Sequence, residues 1–223
     1  MRSAKHHLQL SVDGLLSVIE QLIGGPTPVL ALVSSGSIAT RAAIREPSLI
    51  SSISFAATCY SAGREGRSLR YFGTDLAELA LRSETIMART VLAMRSYTQN
   101  ESRFRSLIES VFRGSERDMS HLADEFSGPD GGSRIRSAVL NSTESMKQDF
   151  FNQTHFKWAE LSNVRVPIRF LQGSDDSIHP PSDLAAMVQK VNGGSLAIAD
   201  GMGHLLHRED LHRAIEFSLE HGC

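Results

Sequence analysis

The chain has very few cysteines and no strong excess of either charge. Its 223 residues include only Cys59 and Cys223, which lie far apart in the sequence. This number excludes a disulfide-stapled scaffold and fits a reducing compartment, so a cytoplasmic location is predicted. The formal net charge of -2 provides no basic field that would attract nucleic acid or an anionic membrane surface. Nucleic acid is therefore not an expected partner.

Long apolar runs are also lacking. No stretch reaches the roughly 18 apolar residues of a membrane helix, and no apolar segment follows the basic N-terminus, so no membrane span is expected. His204, His207 and His212 lack accompanying cysteines or carboxylates at metal-ligand spacing, so neither a metal nor another cofactor is predicted. The composition is 41% hydrophobic and 22% charged. That balance can bury a core as one domain, with or without an inserted lid.

Both ends of the chain show alternating strand and helix patterns. The continuous apolar run 29–33 is typical of a strand covered on both faces of a parallel sheet. A helical pattern over 39–45 and a predicted buried strand over 49–57 complete a βαβ unit, which is expected to be right-handed and parallel. Further elements are predicted before and after this unit: helix 12–23, strand 167–172, helix 181–191, strand 195–199 and helix 211–221. The fold class is therefore α/β with a mostly parallel sheet.

The middle of the chain has a different pattern. Residues 74–94 and 104–112 carry Leu, Ala, Ile, Met, Glu and Arg at helical spacing, and a Gly- and Pro-rich loop over 127–133 follows them. We predict a sheet core formed by residues 1–60 and 162–223. Residues 61–161 are predicted to form an all-helical lid inserted into that core.

An acid and a histidine follow the last two predicted strands. One strand runs into Gly173-Ser174-Asp175-Asp176, and the next leads to Gly201-Met202-Gly203-His204. Alone, Asp175 and Asp176 would fit a simple turn or helix cap. Their spacing to His204 resembles the α/β-hydrolase superfamily, whose acid lies in a Gly-x-x-Asp turn and whose histidine follows in a Gly-His turn. The resemblance implies an α/β-hydrolase fold with an inserted lid, and Asp176 and His204 as catalytic acid and base.

The nucleophile of such an enzyme is less clearly marked. A serine is needed on a strained strand-to-helix turn with small residues two before and two after it, but the chain has no Gly-x-Ser-x-Gly. Ser37 has the small residues Ser35 and Ala39 at these positions. Ser35 would have the branched Val33 at one of them, which fits less well. Ser37 is the predicted nucleophile and Ser35 the alternative, with the backbone N–H of Ile38 as one oxyanion donor.

A second, more local resemblance concerns this turn. Residues 35–43 resemble the nucleophile turn of the acyl-ACP thioesterases of bacterial bioluminescence, which also replace the glycines with small residues and carry an arginine four after the serine, here Arg41. It covers this turn and the preceding helix 15–23 only. Together the resemblances imply a serine hydrolase that acts on a small-molecule carboxylic ester or acyl thioester. Its acyl-enzyme would be resolved by water or by another acceptor.

The sequence departs from the superfamily at its N-terminal side. We expect no counterpart of the first four strands of the superfamily's sheet in these residues, so strand 29–33 is expected to be an exposed apolar edge. Two explanations stay open: a homo-oligomer or a second chain covers this edge, or the chain is a truncated product. The second oxyanion donor, which the superfamily takes from an earlier loop, is also lacking, and this would lower the rate about 100- to 1,000-fold. The competing hypothesis is a catalytically inactive remnant or a partner-binding module.

Overall fold

The computed structural model describes residues 4–58, 84–140 and 158–220. Its strands form one sheet in the order β1-β2-β3-β4, and each neighbouring pair is parallel. The strands are β1 Thr27–Leu32, β2 Ile50–Ala56, β3 Ile168–Gly173 and β4 Gly194–Ala199. The predicted α/β class with a parallel sheet is confirmed.

Helices precede, separate and follow these strands. They are α1 Ala4–Val18, α2 Gly36–Arg45, α3 Glu84–Tyr97, α4 Glu101–Phe112, α5 Glu116–Ser127, α6 Ser133–Leu140, α7 Trp158–Leu161, α8 Pro181–Val188 and α9 Arg208–Glu220. A π-helical turn, Ile19–Ile23, extends α1 and ends at Gly24, whose φ of 74° suits glycine. No helix in these described ranges is long and apolar enough to cross a membrane.

The period-two alternation of the strands builds a core on both faces of the sheet. Val29 and Ala31 of β1 pack in the cluster formed with α1, α2 and α8. Leu30 and Leu32 point to the other face, where they pack with Ala214 of α9. Because helices cover both faces of the sheet at β1, this strand carries the continuous apolar run that marks it in the sequence.

The strand β1 lies at one edge of the described sheet, where it pairs with β2 only. The sequence predicts an exposed edge over residues 29–33; in the structure Ala31 is buried and the other residues of β1 are partly buried. The chain between β2 and β3 carries α3 to α7, which fits an inserted lid, although Leu161 of α7 packs in the sheet core. The predicted boundary at 60/61, residues 74–83 of the predicted helix, Cys59 and Cys223 lie outside the described residues.

Candidate functional site

Two loops meet at the carboxyl edge of β3 and β4. The loop after β3 carries Asp176, and the loop after β4 carries His204. The N–H of Ser174 donates to the carbonyl of Ala199 at 3.0 Å, and the N–H of Asp175 donates to the carbonyl of Met202 at 3.0 Å. Since β3 and β4 are parallel neighbours, these bonds hold the two loops side by side.

Asp176 and His204 form a buried hydrogen-bonded pair. His204 Nδ1 lies 3.0 Å from Asp176 Oδ2, and the residues are 4% and 2% exposed, respectively. The other carboxylate oxygen, Oδ1, accepts the N–H groups of Ile178 and His179 at 2.9 and 2.7 Å. Gln172 Nε2 donates to Oδ2 at 2.6 Å. The carboxylate is thus held by partners on both oxygens, as a buried charge requires.

The surroundings of Asp176 favour its ionised form. Burial by itself raises the pKa of Asp176, but the hydrogen bond and charge of His204, together with the charge and N–H of His179, lower the pKa below the usual value. The carboxylate therefore stays charged at neutral pH. A charged carboxylate at Nδ1 selects the tautomer with its proton on Nδ1, and the ring's other nitrogen, Nε2, is then the basic one.

Among the described residues, no hydrogen bond links Ser37 to the Asp176–His204 pair. It is the second residue of α2 and is 1% exposed. Its Oγ has no hydrogen-bond partner in the described part of the chain. Its catalytic role stays a prediction.

The alternative nucleophile, Ser35, has a local partner. Its Oγ donates to the carbonyl of Leu32 and accepts the N–H of Leu32, both at 2.8 Å, so the hydroxyl closes the turn at the end of β1. Ile38 is the third residue of α2, where backbone N–H groups lack partners within the helix. Its predicted role as an oxyanion donor remains compatible with this position.

The strained residue of the turn between β1 and α2 is Val33. It has a φ of 49°, which is unusual for a β-branched side chain. Ser37 was predicted to lie on a strained turn, whereas Val33 takes the strained conformation. The chain leaves the extended conformation directly after Leu32, so that Ser37 already lies within the regular helix.

Asp118 contacts the loop of His204 and was not predicted from the sequence. It lies in the first turn of α5, it is fully buried, and its Oδ2 and Oδ1 accept the N–H groups of His204 and Leu205, both at 2.9 Å. A Cβ on Gly203 would lie 2.2 Å from Asp118 Oδ1, so glycine permits this approach. The only local signal is Ser115, whose Oγ accepts the N–H of Asp118 as an N-cap.

The lid helices pack directly on both site loops. An apolar cluster of α4 and α5 includes one residue from each loop, Ile178 and Leu205; its buried lid members are Phe104, Phe112, Leu122 and Phe126. The ring of Phe112 lies 6.2 Å from that of His204, between centroids. The lid therefore contributes an apolar surface beside the imidazole.

The other two histidines considered in the sequence lie apart from the Asp176 pair. The ring of His207 stacks on that of His121 at 4.1 Å between centroids, and His212 is exposed on α9. Over residues 4–58, 84–140 and 158–220, no group of three or more histidine, cysteine or carboxylate side chains is placed to hold a metal ion.

Replacing Asp118 by asparagine is expected to weaken the link between the lid and His204. Burial raises the pKa of Asp118, while the His204 and Leu205 N–H groups lower it and offset part of that effect. An amide can accept only one of these two N–H groups with its oxygen and would present its own N–H to the other. We expect a loss of about 1 to 3 kcal/mol in unfolding free energy and a lower pH midpoint for the His204 imidazole, which loses a nearby negative charge.

Urea unfolding and an NMR titration of the imidazole protons measure both effects. Asp124→Asn is the matched control, because Asp124 is exposed on the same helix. An Asp118→Asn variant with wild-type stability and a wild-type His204 midpoint would show that these contacts do not position the histidine.

No protein-family model and no curated protein sequence matches the chain. Similar solved structures include an α/β-hydrolase enzyme from a Medee basin deep-sea metagenome library, with 15% identity, a TM-score of 0.66, and coverage of 94% of this chain and 69% of that chain. A meta-cleavage product hydrolase from Pseudomonas fluorescens has 15% identity, a TM-score of 0.60, and coverage of 94% and 69%. An esterase from Exiguobacterium antarcticum has 14% identity, a TM-score of 0.59, and coverage of 95% and 72%.

These comparisons confirm the fold that the sequence resemblance implies. The chain has a partial α/β-hydrolase fold, which spans 69% to 72% of the length of the three proteins named above. At such low identities the likeness concerns the fold, and a fold hosts many activities. Activity and substrate therefore have to be argued from the site.

Proposed function

We propose that the protein is a hydrolase of small-molecule carboxylic esters or acyl thioesters, with His204 as general base and Asp176 as its partner. The buried hydrogen bond between Asp176 Oδ2 and His204 Nδ1 carries this proposal. A carboxylate at Nδ1 orients the imidazole and stabilises the imidazolium that forms when Nε2 takes a proton. The fold likeness to a protein described as an esterase supports the choice of ester chemistry.

The surroundings of the imidazole support an apolar acyl group as the bound part of the substrate. The Phe112 ring lies beside His204, and Ile178 and Leu205 join the same apolar lid cluster. Binding sites for small molecules are lined mainly by such side chains, with a few polar groups at the reacting bond. Esters and thioesters with aliphatic acyl chains are therefore the first substrates to test.

The covalent route predicted from the sequence is one way to carry out this reaction. Ser37 Oγ would attack the carbonyl carbon, His204 would take the hydroxyl proton, and the Ile38 N–H would donate to the developing oxyanion. Water or another acceptor would then release the acyl group. This route needs the Ser37 hydroxyl to leave its buried position in α2, where it is 1% exposed.

A series of p-nitrophenyl esters and acyl-CoA thioesters with short to long acyl chains tests the function. We expect the wild-type chain to hydrolyse at least one of them, and His204→Gln to lose at least about 100-fold in kcat/KM, the lower range for a general base. His212→Gln is the matched control, because His212 is an exposed histidine of α9. A folded wild-type chain that hydrolyses none of these substrates would contradict the proposal.

A second candidate is a catalytically inactive, partner-binding module with the same fold. The observation that favours it is Val33, an apolar residue at the strained turn where an attacking hydroxyl would be expected. It predicts no turnover and equal inactivity of wild type and His204→Gln. A homo-oligomer or second chain covering the β1 edge stays a prediction, which light scattering of the purified chain would check.

A further inference from the structure

The turn between β1 and α2 reverses the chain at a single strained residue. Leu32 is extended, with φ of -105° and ψ of 136°, whereas Gly36 is already helical, with φ of -55° and ψ of -38°. Among the described non-glycine residues between them, only Val33 has a positive φ. A β-branched residue is strained in this region, and strain of this kind is concentrated at functional sites.

The neighbours of Val33 fit the position of a nucleophile. Such a residue needs small side chains two before and two after it, because the backbone approaches closely on both sides of the turn. Ala31 and Ser35 occupy these positions around Val33. The Ser35 hydroxyl is hydrogen-bonded to the N–H and carbonyl of Leu32. These two hydrogen bonds close the turn around Val33.

The sheet register places Val33 at the same edge as the loops of Asp176 and His204. Leu32 pairs with Ala56, and Ala56 pairs with Leu171 of β3. Leu171 in turn pairs with Ala197 of β4. Because all four strands are parallel, the residues that follow these positions lie along one carboxyl edge. Val33 is the first residue of the turn at that edge.

We infer that Val33 occupies the nucleophile position of this fold and that the chain hydrolyses its substrate without an acyl-enzyme. The reaction step rests on the proposed function, whereas the position of Val33 rests on the geometry alone. His204 Nε2 takes a proton from water as the water oxygen bonds to the carbonyl carbon. The bond from that carbon to the leaving oxygen or sulfur then breaks, and His204 returns the proton to the leaving group. Water supplies the oxygen of the acid product, so the atoms balance.

Chemical labelling of Val33→Ser tests the position directly. A fluorophosphonate probe followed by peptide mass spectrometry is expected to leave the wild-type turn unlabelled and to give a single adduct on the hydroxyl introduced at position 33. The adduct should fall at least tenfold when His204→Ala is added. It should persist when Ser37→Ala is added instead.

Two results would overturn the inference. One is a wild-type adduct on Ser37 that disappears with His204→Ala, and the other is a folded Val33→Ser variant that gives no adduct. If Val33→Ser does not fold, rapid-quench kinetics and intact-mass spectrometry of the wild type with its best ester decide: hydrolysis with neither a burst nor an acyl adduct on the protein supports the water route, and an acyl adduct on any residue overturns it.

Failure of the proposed function can be told apart from failure of this inference. A wild-type chain without ester or thioester hydrolysis contradicts the proposed function. Labelling of Val33→Ser that depends on His204 would still show that position 33 faces the imidazole. Conversely, hydrolysis by the wild type together with a His204-dependent adduct on Ser37 would support the function and contradict the water route.

Discussion

Replacing Asp176 by asparagine is expected to lower the rate of ester hydrolysis about 10,000-fold, the scale observed when a serine protease's acid becomes an amide. The contacts of Asp176 explain the expected size. Its Oδ1 accepts two backbone N–H groups, so an asparagine would keep its carbonyl oxygen there. The amide NH2 would then face His204 Nδ1 and the donating Gln172 Nε2. His204 would then adopt the tautomer with its proton on Nε2. In that tautomer Nε2 has no free lone pair and cannot take a proton from the attacking group.

Steady-state hydrolysis of the best ester, measured for wild type, Asp176→Asn and Asp175→Asn, checks this expectation. Asp175 is the matched control, because it is the exposed neighbour of Asp176. Among the described hydrogen bonds, its side chain accepts only the Ser174 hydroxyl, at Oδ1. We expect Asp175→Asn to stay within about threefold of wild type, since it leaves the imidazole partner in place. An Asp176→Asn variant within tenfold of wild type would rule out the assigned role.

The same substitution should change how stability depends on pH. Folding lowers the pKa of Asp176 relative to the usual value of about 3.9. The ionised carboxylate therefore stabilises the fold at pH values above its unfolded pKa, and that contribution is lost as the pH falls through its folded pKa. Urea unfolding between neutral pH and pH 3 is expected to show a smaller acid-induced loss for Asp176→Asn than for wild type.

The second large effect is expected from Gly173→Ala, which should cost more than about 3 kcal/mol of unfolding free energy, the upper range for an overpacked site. A Cβ at this residue would lie 1.9 Å from the carbonyl oxygen of Met202 and 2.5 Å from its carbonyl carbon. Both atoms are backbone atoms and cannot rotate away. The loops of Asp176 and His204 would have to separate, so hydrolysis should fall together with stability.

Gly14→Ala is the matched control for the glycine substitution. Gly14 lies in α1, and a Cβ there would meet nothing within 4 Å. In a helix interior, alanine is favoured over glycine by about 0.8 to 1 kcal/mol, so this variant should be more stable than wild type. Urea unfolding of both variants measures the contrast. Equal stability of Gly173→Ala and wild type would show that the two loops can move apart freely.

The strands were predictable from the sequence to within about two residues at each end. The apolar run 29–33 corresponds to β1 Thr27–Leu32, and the run 49–57 corresponds to β2 Ile50–Ala56. The run in β1 is conspicuous because helices cover both faces of the sheet, so apolar residues occupy successive positions. Helix ends were less predictable: α9 begins at Arg208, three residues before the predicted start at 211. Its polar first turn carries no apolar periodicity that would mark it.

The conformation of the turn between β1 and α2 was not predictable in the same way. The sequence favoured Ser37 because its neighbours at both positions are small, but Ala31 and Ser35 around Val33 are small as well. Composition alone does not tell which of these residues takes the strained conformation. That choice depends on where β1 stops pairing with β2, and the last pair is Leu32 with Ala56.

The sequence by itself determined the α/β class, the parallel strands and the spacing between Asp176 and His204, since these depend on local periodicity and on strands that follow one another along the chain. Only the tertiary structure decided the role of Asp118, whose carboxylate accepts a hydrogen bond from the backbone N–H of His204, 86 positions away. It also decided that Val33 is strained and Ser37 buried. The physical reason is that hydrogen bonds and burial between distant segments depend on how the lid and the loops pack on the sheet, and short-range patterns do not encode that packing.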